Sequence, residues 1–444
     1  MTGRIPWAPQ IRRDWSSPRI NQVARMGTGH TPSRSEPAYW TDCEVPWLTT
    51  ADVHRFRDDE ITVIDDTELH VNELGLANSA AVVHPAGTVA LSRTASAGFS
   101  VIMGQDMATS QDYATWTCGP RLDNRYLLWC LRGMRSDLLG RLAMGSTHKT
   151  IYFPDLMSLR IPLPPLEEQR RIADFLDDQA ARTDQMMAAK TSQLSRLTEL
   201  MRAYVHDAVT GSDLGGIQHP SGIPWAPEIP THWRAPRLNQ VSRIGTGHTP
   251  SRSIPTYWLD CDIPWLTTSD VYRFRGDDLD VLDRPELNIS QLGLRSSSAV
   301  MHPAGTVALC RTSGSAGFSI IMGRDMATSQ DYATWTCGPM LQNEYLLWCL
   351  RAMRADLMNR LAMGSTHKTI YFPDLLSVRV PLPPMSEQVA VVDRIQGVTH
   401  SVREAQRALG HSKDALGEFK QSLISAAVSG EFDVSSASGR GVPA

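Results

Sequence analysis

Leu163-Pro164-Pro165-Leu166-Glu167-Glu168-Gln169 opens a long run almost free of glycine and proline that closes at Val209-Thr210-Gly211. Nearly the same stretch returns as Leu382-Pro383-Pro384-Met385-Ser386-Glu387-Gln388 and closes at Val428-Ser429-Gly430. The spacing is constant, since 382 minus 163 and 430 minus 211 both give 219. Each diproline stops the chain before it, and the acidic residues that follow suit a helix N-terminus.

Within each run, residues recur every seven positions. The first offers Ile172, Gln179, Met186, Gln193 and Leu200, with a companion row at Leu176, Thr183, Lys190, Leu197 and Tyr204. In the second the rows are Ile395, Val402, Leu409, Leu416 and Leu423, and Val398, Ala405, Ser412, Phe419 and Ala426. Such spacing predicts two long helices, each with a narrow seam that seeks another helix, as in a coiled coil.

Outward from these runs the whole chain is a tandem duplication. Ile5-Pro6-Trp7-Ala8-Pro9 returns from Ile223 to Pro227, and Gly27 to Ser35 returns unchanged from Gly245 to Ser253. After Gly314, which has no counterpart, Asp106 to Trp116 returns from Asp325 to Trp335. A repeat this long is a domain plus its helix, not a solenoid module. The expected fold class is α+β: two repeated α/β domains at residues 1–162 and 212–381, joined by helices at 163–211 and 382–432 that form an antiparallel coiled-coil spacer with pseudo-twofold symmetry. Residues 433–444 are expected to be a disordered tail. Within a repeat, Val45 to Leu48, Ala81 to Val83 and Thr88 to Leu91 read as strands and Tyr126 to Met144 as a helix, while Gly211 to Ser221 reads as a linker.

A chain of 444 residues with 42% hydrophobic and 20% charged side chains is an ordinary globular composition. No apolar run is long enough to span a bilayer, and Met1 to Trp15 lacks a signal-peptide core, so a cytoplasmic location is expected. Seven cysteines, with no CxxC, suit reduced thiols. The formal charge of -4 gives no global signal for nucleic acid, although a basic groove can hide within such an average.

Catalytic sets are missing. No Gly-Lys dipeptide exists, which excludes a Walker phosphate loop at Gly145 to Thr150. The histidines show no HExxH or paired metal spacing, and no metal site is expected. What repeats instead is a set of polar side chains on loops: Arg34, Thr49, Thr50, Arg93, Ser110, Gln111, His148 and Lys149, matched by Arg252, Thr267, Thr268, Arg311, Ser329, Gln330, His367 and Lys368. Arginine and lysine grip phosphates or guanine edges, and glutamine reads adenine, so these sixteen are the candidate DNA-binding residues.

Gly29-His30-Thr31-Pro32-Ser33, Ile263-Pro264-Trp265-Leu266, Ala108-Thr109-Ser110-Gln111, Ile151-Tyr152-Phe153-Pro154-Asp155-Leu156 and the twice-written Pro-Pro-x-x-Glu-Gln entry to a long helix resemble the DNA specificity subunit of type I restriction-modification systems. The resemblance covers nearly the full chain. It implies a non-catalytic subunit whose two target recognition domains each read half of a bipartite site on double-stranded DNA. It further implies two methyltransferase subunits docked beside the helices, with restriction subunits as possible further partners. S-adenosylmethionine, ATP and Mg would sit on those partners, with no cofactor on this chain. Glu168, Gln169, Glu387 and Gln388 are candidates for the partner surface, with helix capping as their other reading. A stand-alone DNA-binding regulator is the alternative. Because the two halves are so alike, the expected target is gapped and nearly palindromic, with asymmetry arising at His54/Tyr272 and at the Ala95 loop, where Gly314 is inserted.

Overall fold

A computed structural model of the chain describes residues 5–94, 96–143, 149–363 and 368–434. It divides into two compact units, one formed by Met1–Thr191 with Gly410–Ala444 and the other by Ser192–Leu409. The expected disordered tail lies largely outside the described residues, as do Ala95 and most of the Gly145 to Thr150 loop.

In the first unit, five strands hydrogen-bond in the order Ala24–Thr28, Tyr113–Cys118, Val89–Ser92, Ser100–Met103 and Val63–Ile64. All neighbours are antiparallel except the last pair. A second sheet runs His70–Val71, Val45–Leu48, Met107–Thr109 and Val83–His84. The strand residues of Val89–Ser92 and Ser100–Met103 are buried on both faces, which explains their continuous apolar reading. One face packs on Leu48, Phe56 and Ile64, and the other on the helix Asn124–Gly133. Asp123 caps that helix by accepting from Arg125 N and Tyr126 N. The second unit repeats this plan with Ser242–Thr246, Tyr332–Cys337, Val307–Cys310, Ser319–Met322 and Val281–Leu282.

Within the expected helix Tyr126 to Met144, the helix Asn124–Gly133 is buried at every residue from Tyr126 to Gly133, including Arg132. The Arg132 guanidinium donates through its two terminal nitrogens to Asp59 O at 2.9 Å and Ile61 O at 2.7 Å and lies over the Trp129 ring, while its Nε makes no hydrogen bond among the described residues and sits 3.3 Å from the Asp59 carboxylate. Beyond Gly133 the helix breaks up into Arg135–Asp137 and a wider turn at Leu138–Leu142. The linker reading of Gly211 to Ser221 is corrected too. Gln218–Ile223 pairs with Ala226–Pro230 as a hairpin, and the pairing supplies partners to backbone groups that the sequence left unassigned.

Leu166–Thr210 and Met385–Ser429 are the two long helices, each of 45 residues. In the first unit Phe175 stacks near Phe432 with ring centroids 5.6 Å apart, and Lys420 Nζ donates to Asp184 at 2.6 Å. In the second, Gln406 donates to Thr198 at 2.9 Å and Arg394 to Asp213 at 2.8 Å. Burial corrects the expected seams. Along the first helix the row Leu176, Thr183, Lys190, Leu197, Tyr204 is covered, and its companion is Ala180, Met187, Leu194, Met201, Ala208. Met186 and Leu200, from the other expected row, are 47% and 58% exposed. On the second helix Ile395, Val402, Leu409, Leu416 and Leu423 are covered, but with Thr399, Gln406, Lys413, Lys420 and Ala427. Phe419 stands 53% exposed.

Candidate nucleic-acid interface

The repeated polar loops leave the ends of paired strands and are tied to one another by backbone. Ser110 N donates to Leu48 O at 2.9 Å, where the 108–109 strand runs parallel to Val45–Leu48, and Tyr113 Oη donates to Thr49 O at 2.8 Å. Thr31 Oγ1 donates to Gln111 Oε1 at 2.7 Å, bringing the Gly27 to Ser35 loop onto the Gln111 turn. That approach demands glycine: a Cβ on Gly29 would lie 1.7 Å from Thr109 O. The second unit has the same ties, with Ser329 N to Leu266 O at 2.9 Å, Tyr332 Oη to Thr267 O at 2.9 Å and Thr249 Oγ1 to Gln330 Oε1 at 2.6 Å. A Cβ on Gly247 would lie 1.8 Å from Thr328 O.

This geometry separates the candidates into two groups. Arg34, Gln111 and Lys149 are exposed, as are Arg252, Gln330 and Lys368, while Thr50 and Thr268 are half-buried beside them. Arg34 lies over the ring of Trp47, 5.8 Å from its centroid, a placement that keeps a guanidinium extended. The other group holds the loops together. Thr49 and Thr267 open their turns through capping boxes with Asp52 and Asp270. Ser110 and Ser329 are buried on Asp112 and Asp331 at 3.1 and 3.0 Å. Arg93 donates to Gln111 O at 3.0 Å and to Ile151 O at 3.3 Å, with the Phe153 ring beneath it. Arg311 repeats this on Gln330 O and Ile370 O, and burial pulls its pKa down. Arg93 and Arg311 therefore carry the Gln111 and Gln330 turns instead of reaching outward. His148 and His367 lie outside the described residues.

Sequence reasoning passed over two exposed pairs on these loops. His30 and His248 stand one residue past the close-packed Gly29 and Gly247, and Tyr152 and Tyr371 are 53% and 54% exposed. The signal was present: both are unchanged between repeats although nothing in the core holds them.

The four candidates at the helix entries are corrected in part. Gln169 and Gln388 are fully buried. Gln169 Nε2 donates to Arg121 O and Pro164 O at 2.9 and 2.8 Å, and its Oε1 accepts from Asp123 N at 2.9 Å. Gln388 does the same with Met340 O, Pro383 O and Gln342 N. These amides staple the long helix to the start of the buried one and are unavailable to another protein. Glu168 pairs with Arg12 at 3.0 Å. Glu387 meets His232 at 3.0 Å and Trp233 Nε1 at 2.9 Å; partial burial opposes its charge, yet these donors hold it below the usual carboxylate range.

All seven cysteines are free thiols, and burial pushes Cys118 and Cys337 up to about 12. Among the described residues no group of three potential metal ligands exists, and no helix is long and apolar enough to cross a membrane.

Comparison with known proteins places this geometry. The type I restriction modification DNA specificity domain family matches residues 12–196 and 230–407. The chain is 24% identical over 260 residues to the type I restriction enzyme MjaIX specificity subunit of Methanocaldococcus jannaschii, covering 58% of each chain. It is 23% identical over 192 residues to the EcoR124I/EcoR124II specificity subunit of Escherichia coli, covering 42% of this chain and 45% of that one. The matched regions thus span 58% and 45% of the length of these two relatives. Among solved structures, a chain from a study of complex assembly and conformational transition of the type I R-M system superposes with a TM-score of 0.72 at 18% identity, covering 95% of this chain and all of that one. The HsdS subunit from Thermoanaerobacter tengcongensis gives 0.52 at 18% identity, covering 95% and 98%. The two matched segments account for most of the chain, each falling on one copy of the repeat, and the protein belongs to the type I restriction modification DNA specificity family.

Proposed function

We propose that this chain is the non-catalytic DNA-recognition subunit of a type I restriction-modification complex, reading a gapped and nearly palindromic site on double-stranded DNA. One observation carries the reading: two units of one fold present the same exposed trio, Arg34, Gln111 and Lys149 in one and Arg252, Gln330 and Lys368 in the other, on loops held by the same hydrogen bonds. Arginine and lysine meet phosphates or guanine edges, and a glutamine held on its oxygen by a threonine directs its amide N–H groups outward to base acceptors. Identical readers recognise related half-sites.

The recognition domains are residues 1–162 and 212–381, and the helices at 163–211 and 382–432 form an antiparallel coiled-coil spacer between them. The supporting contacts have nearly constant residue sums, since 184 plus 420 and 198 plus 406 both equal 604. One helix therefore descends as the other climbs. An antiparallel spacer is the arrangement that two inverted half-sites call for. The exposed flanks of these helices, including Met186, Leu200 and Phe419, are the docking surface for two methyltransferase subunits, and restriction subunits join that assembly. S-adenosylmethionine, ATP and Mg belong to those partners.

Co-purification with methyltransferase subunits followed by methylome sequencing tests the reading. Two related, inverted half-sites are expected. Unrelated half-sites would refute the near-palindrome, and methyl transfer by the isolated chain would refute the non-catalytic assignment.

A further inference from the structure

The two copies are internal controls for each other, so a position that differs while its setting does not is informative. His54 and Tyr272 are such a pair. Each is the penultimate residue of its short helical turn, Thr50–Arg55 or Thr268–Arg273, whose first residue follows the capping threonine already tied to Tyr113 or Tyr332. Both side chains are open to solvent, at 62% for the His54 side chain and 68% for Tyr272. Each stands beside the same carboxylate of the neighbouring loop: His54 Nδ1 lies 3.6 Å from Glu68, and Glu286 beside the Tyr272 hydroxyl raises its pKa. That loop is itself held identically, by Arg55 on Asp66 O at 2.6 Å and Arg273 on Arg284 O at 2.5 Å. One scaffold thus carries two different heads.

Their chemistry follows from these bonds. His54 Nδ1 donates to Ala51 O, a carbonyl that can only accept, at 2.7 Å, so in the neutral ring Nε2 is the nitrogen that carries the lone pair. The Tyr272 hydroxyl, beside Glu286, also offers oxygen lone pairs, carried further from the backbone by the longer side chain. In the major groove an acceptor reads an exocyclic amine, on cytosine or adenine. Two acceptors of different reach on one scaffold meet different base pairs.

We infer that residue 54/272 is a specificity-determining position, each side chain accepting from an exocyclic base amine, and that it sets the base pair at which the two half-sites differ. The inference rests on the DNA-recognition reading above. Nearby charge changes have another role. Asp66 and Gln105 are replaced by Arg284 and Arg324, all four exposed, and Gln105 reaches the same loop through Asp65 O at 2.5 Å. These arginines add phosphate grip to the second half-site without adding base information.

The test is enrichment of bound sequences from a randomised duplex library with the full chain and with its H54Y, Y272H, H54F and D66R/Q105R variants, each checked for an unchanged melting transition. H54Y is expected to convert one position of the first half-site to the preference of the second, and Y272H to do the reverse. H54F, which keeps a ring but no acceptor, is expected to lose about tenfold discrimination at that position. D66R/Q105R is expected to bind more tightly and with a steeper salt dependence while selecting the same sequence. An H54Y and H54F profile identical to that of the parent chain overturns the inference. Unrelated half-sites in the parent, with H54Y still altering one position of the first, would refute the near-palindrome and leave the role of residue 54 standing.

Discussion

Asp59 grips Arg135 with two hydrogen bonds of 2.6 Å, and it does so from a left-handed backbone at φ 65°. Asp277 holds Arg354 in the same way at φ 56°. Each carboxylate also lies near a second, deeply buried arginine, Arg132 at 3.3 Å and Arg351 at 3.4 Å. Burial pulls the pKa of both arginines down, and Asp59 opposes that shift in Arg132, as Asp280 and Asp277 do in Arg351. One aspartate therefore compensates two cations that helix 124–133 and its continuation carry into the core.

Removing that carboxylate should be costly. Asp59→Ala leaves Arg132 buried beside an unanswered charge and places alanine at a positive φ, and a loss of about 3–5 kcal/mol is expected. Asp59→Asn tolerates the backbone and keeps hydrogen-bonding capacity, so it should lose less. Urea melts of the two variants give the comparison, and equal losses would show that the charge removed by both, not the backbone or the hydrogen bonds that asparagine keeps, accounts for the whole effect.

The pair Asp184 and Lys420 tests how the long helices meet. Both side chains are largely covered, at 14% and 11% exposure. Lys420→Met or Asp184→Leu alone should destabilise by about 3–5 kcal/mol, because each strands the other charge; the double variant should recover much of that loss. Additive losses in the double-mutant cycle would contradict a direct pairing.

Gln169→Ala removes three hydrogen bonds and leaves Asp123 N and two carbonyl oxygens without the amide that joined them. A loss of about 1–3 kcal/mol for each group stranded away from water is expected, seen as a lowered melting transition. Glu168→Ala exposes only a surface pair with Arg12 and should cost less than about 1 kcal/mol.

His84 ends the strand Val83–His84 and His302 makes an isolated bridge to Met326, and burial lowers the pKa of both from the usual 6.5. A histidine whose folded pKa is depressed is neutral in the fold, and below 6.5 the unfolded chain binds the extra proton. Stability should therefore be fully present above pH 6.5 and decline as pH falls toward the lowered folded values. His84→Gln and His302→Gln together should flatten that part of the stability curve, measured by thermal melts between pH 5 and 7.

On DNA, Gln111→Ala and Gln330→Ala should each relax one position of their own half-site by about 1–3 kcal/mol. Lys149→Ala should instead weaken all sequences alike and reduce the salt slope of binding by about one unit. Competition titrations at two salt concentrations separate these outcomes.

The duplication, the two long helices and the loop set were legible in the residues because each is a pattern along the chain. The seam of the second helix was not. Its first row, Ile395 to Leu423, is apolar and was read correctly, but two flanking rows competed for the place beside it. The row with Val398 and Phe419 is the more apolar, and the fold covers the row with Gln406 and Lys420. Those polar residues are admitted because Thr198 and Asp184 wait opposite them. In the first helix the covered row, Ala180 to Ala208, was visible in the sequence as the more apolar choice.

By itself the sequence determined that one domain and one helix were written twice, because periodicity and repetition are properties of the chain. The tertiary structure decided which repeated polar residues are readers and which are ties. Arg34 and Arg93 are the same residue type on loops of the same composition, yet one guanidinium is open and the other is consumed by the carbonyls of Gln111 and Ile151. Residues far apart in sequence supply those carbonyls, so only folding could distinguish the two.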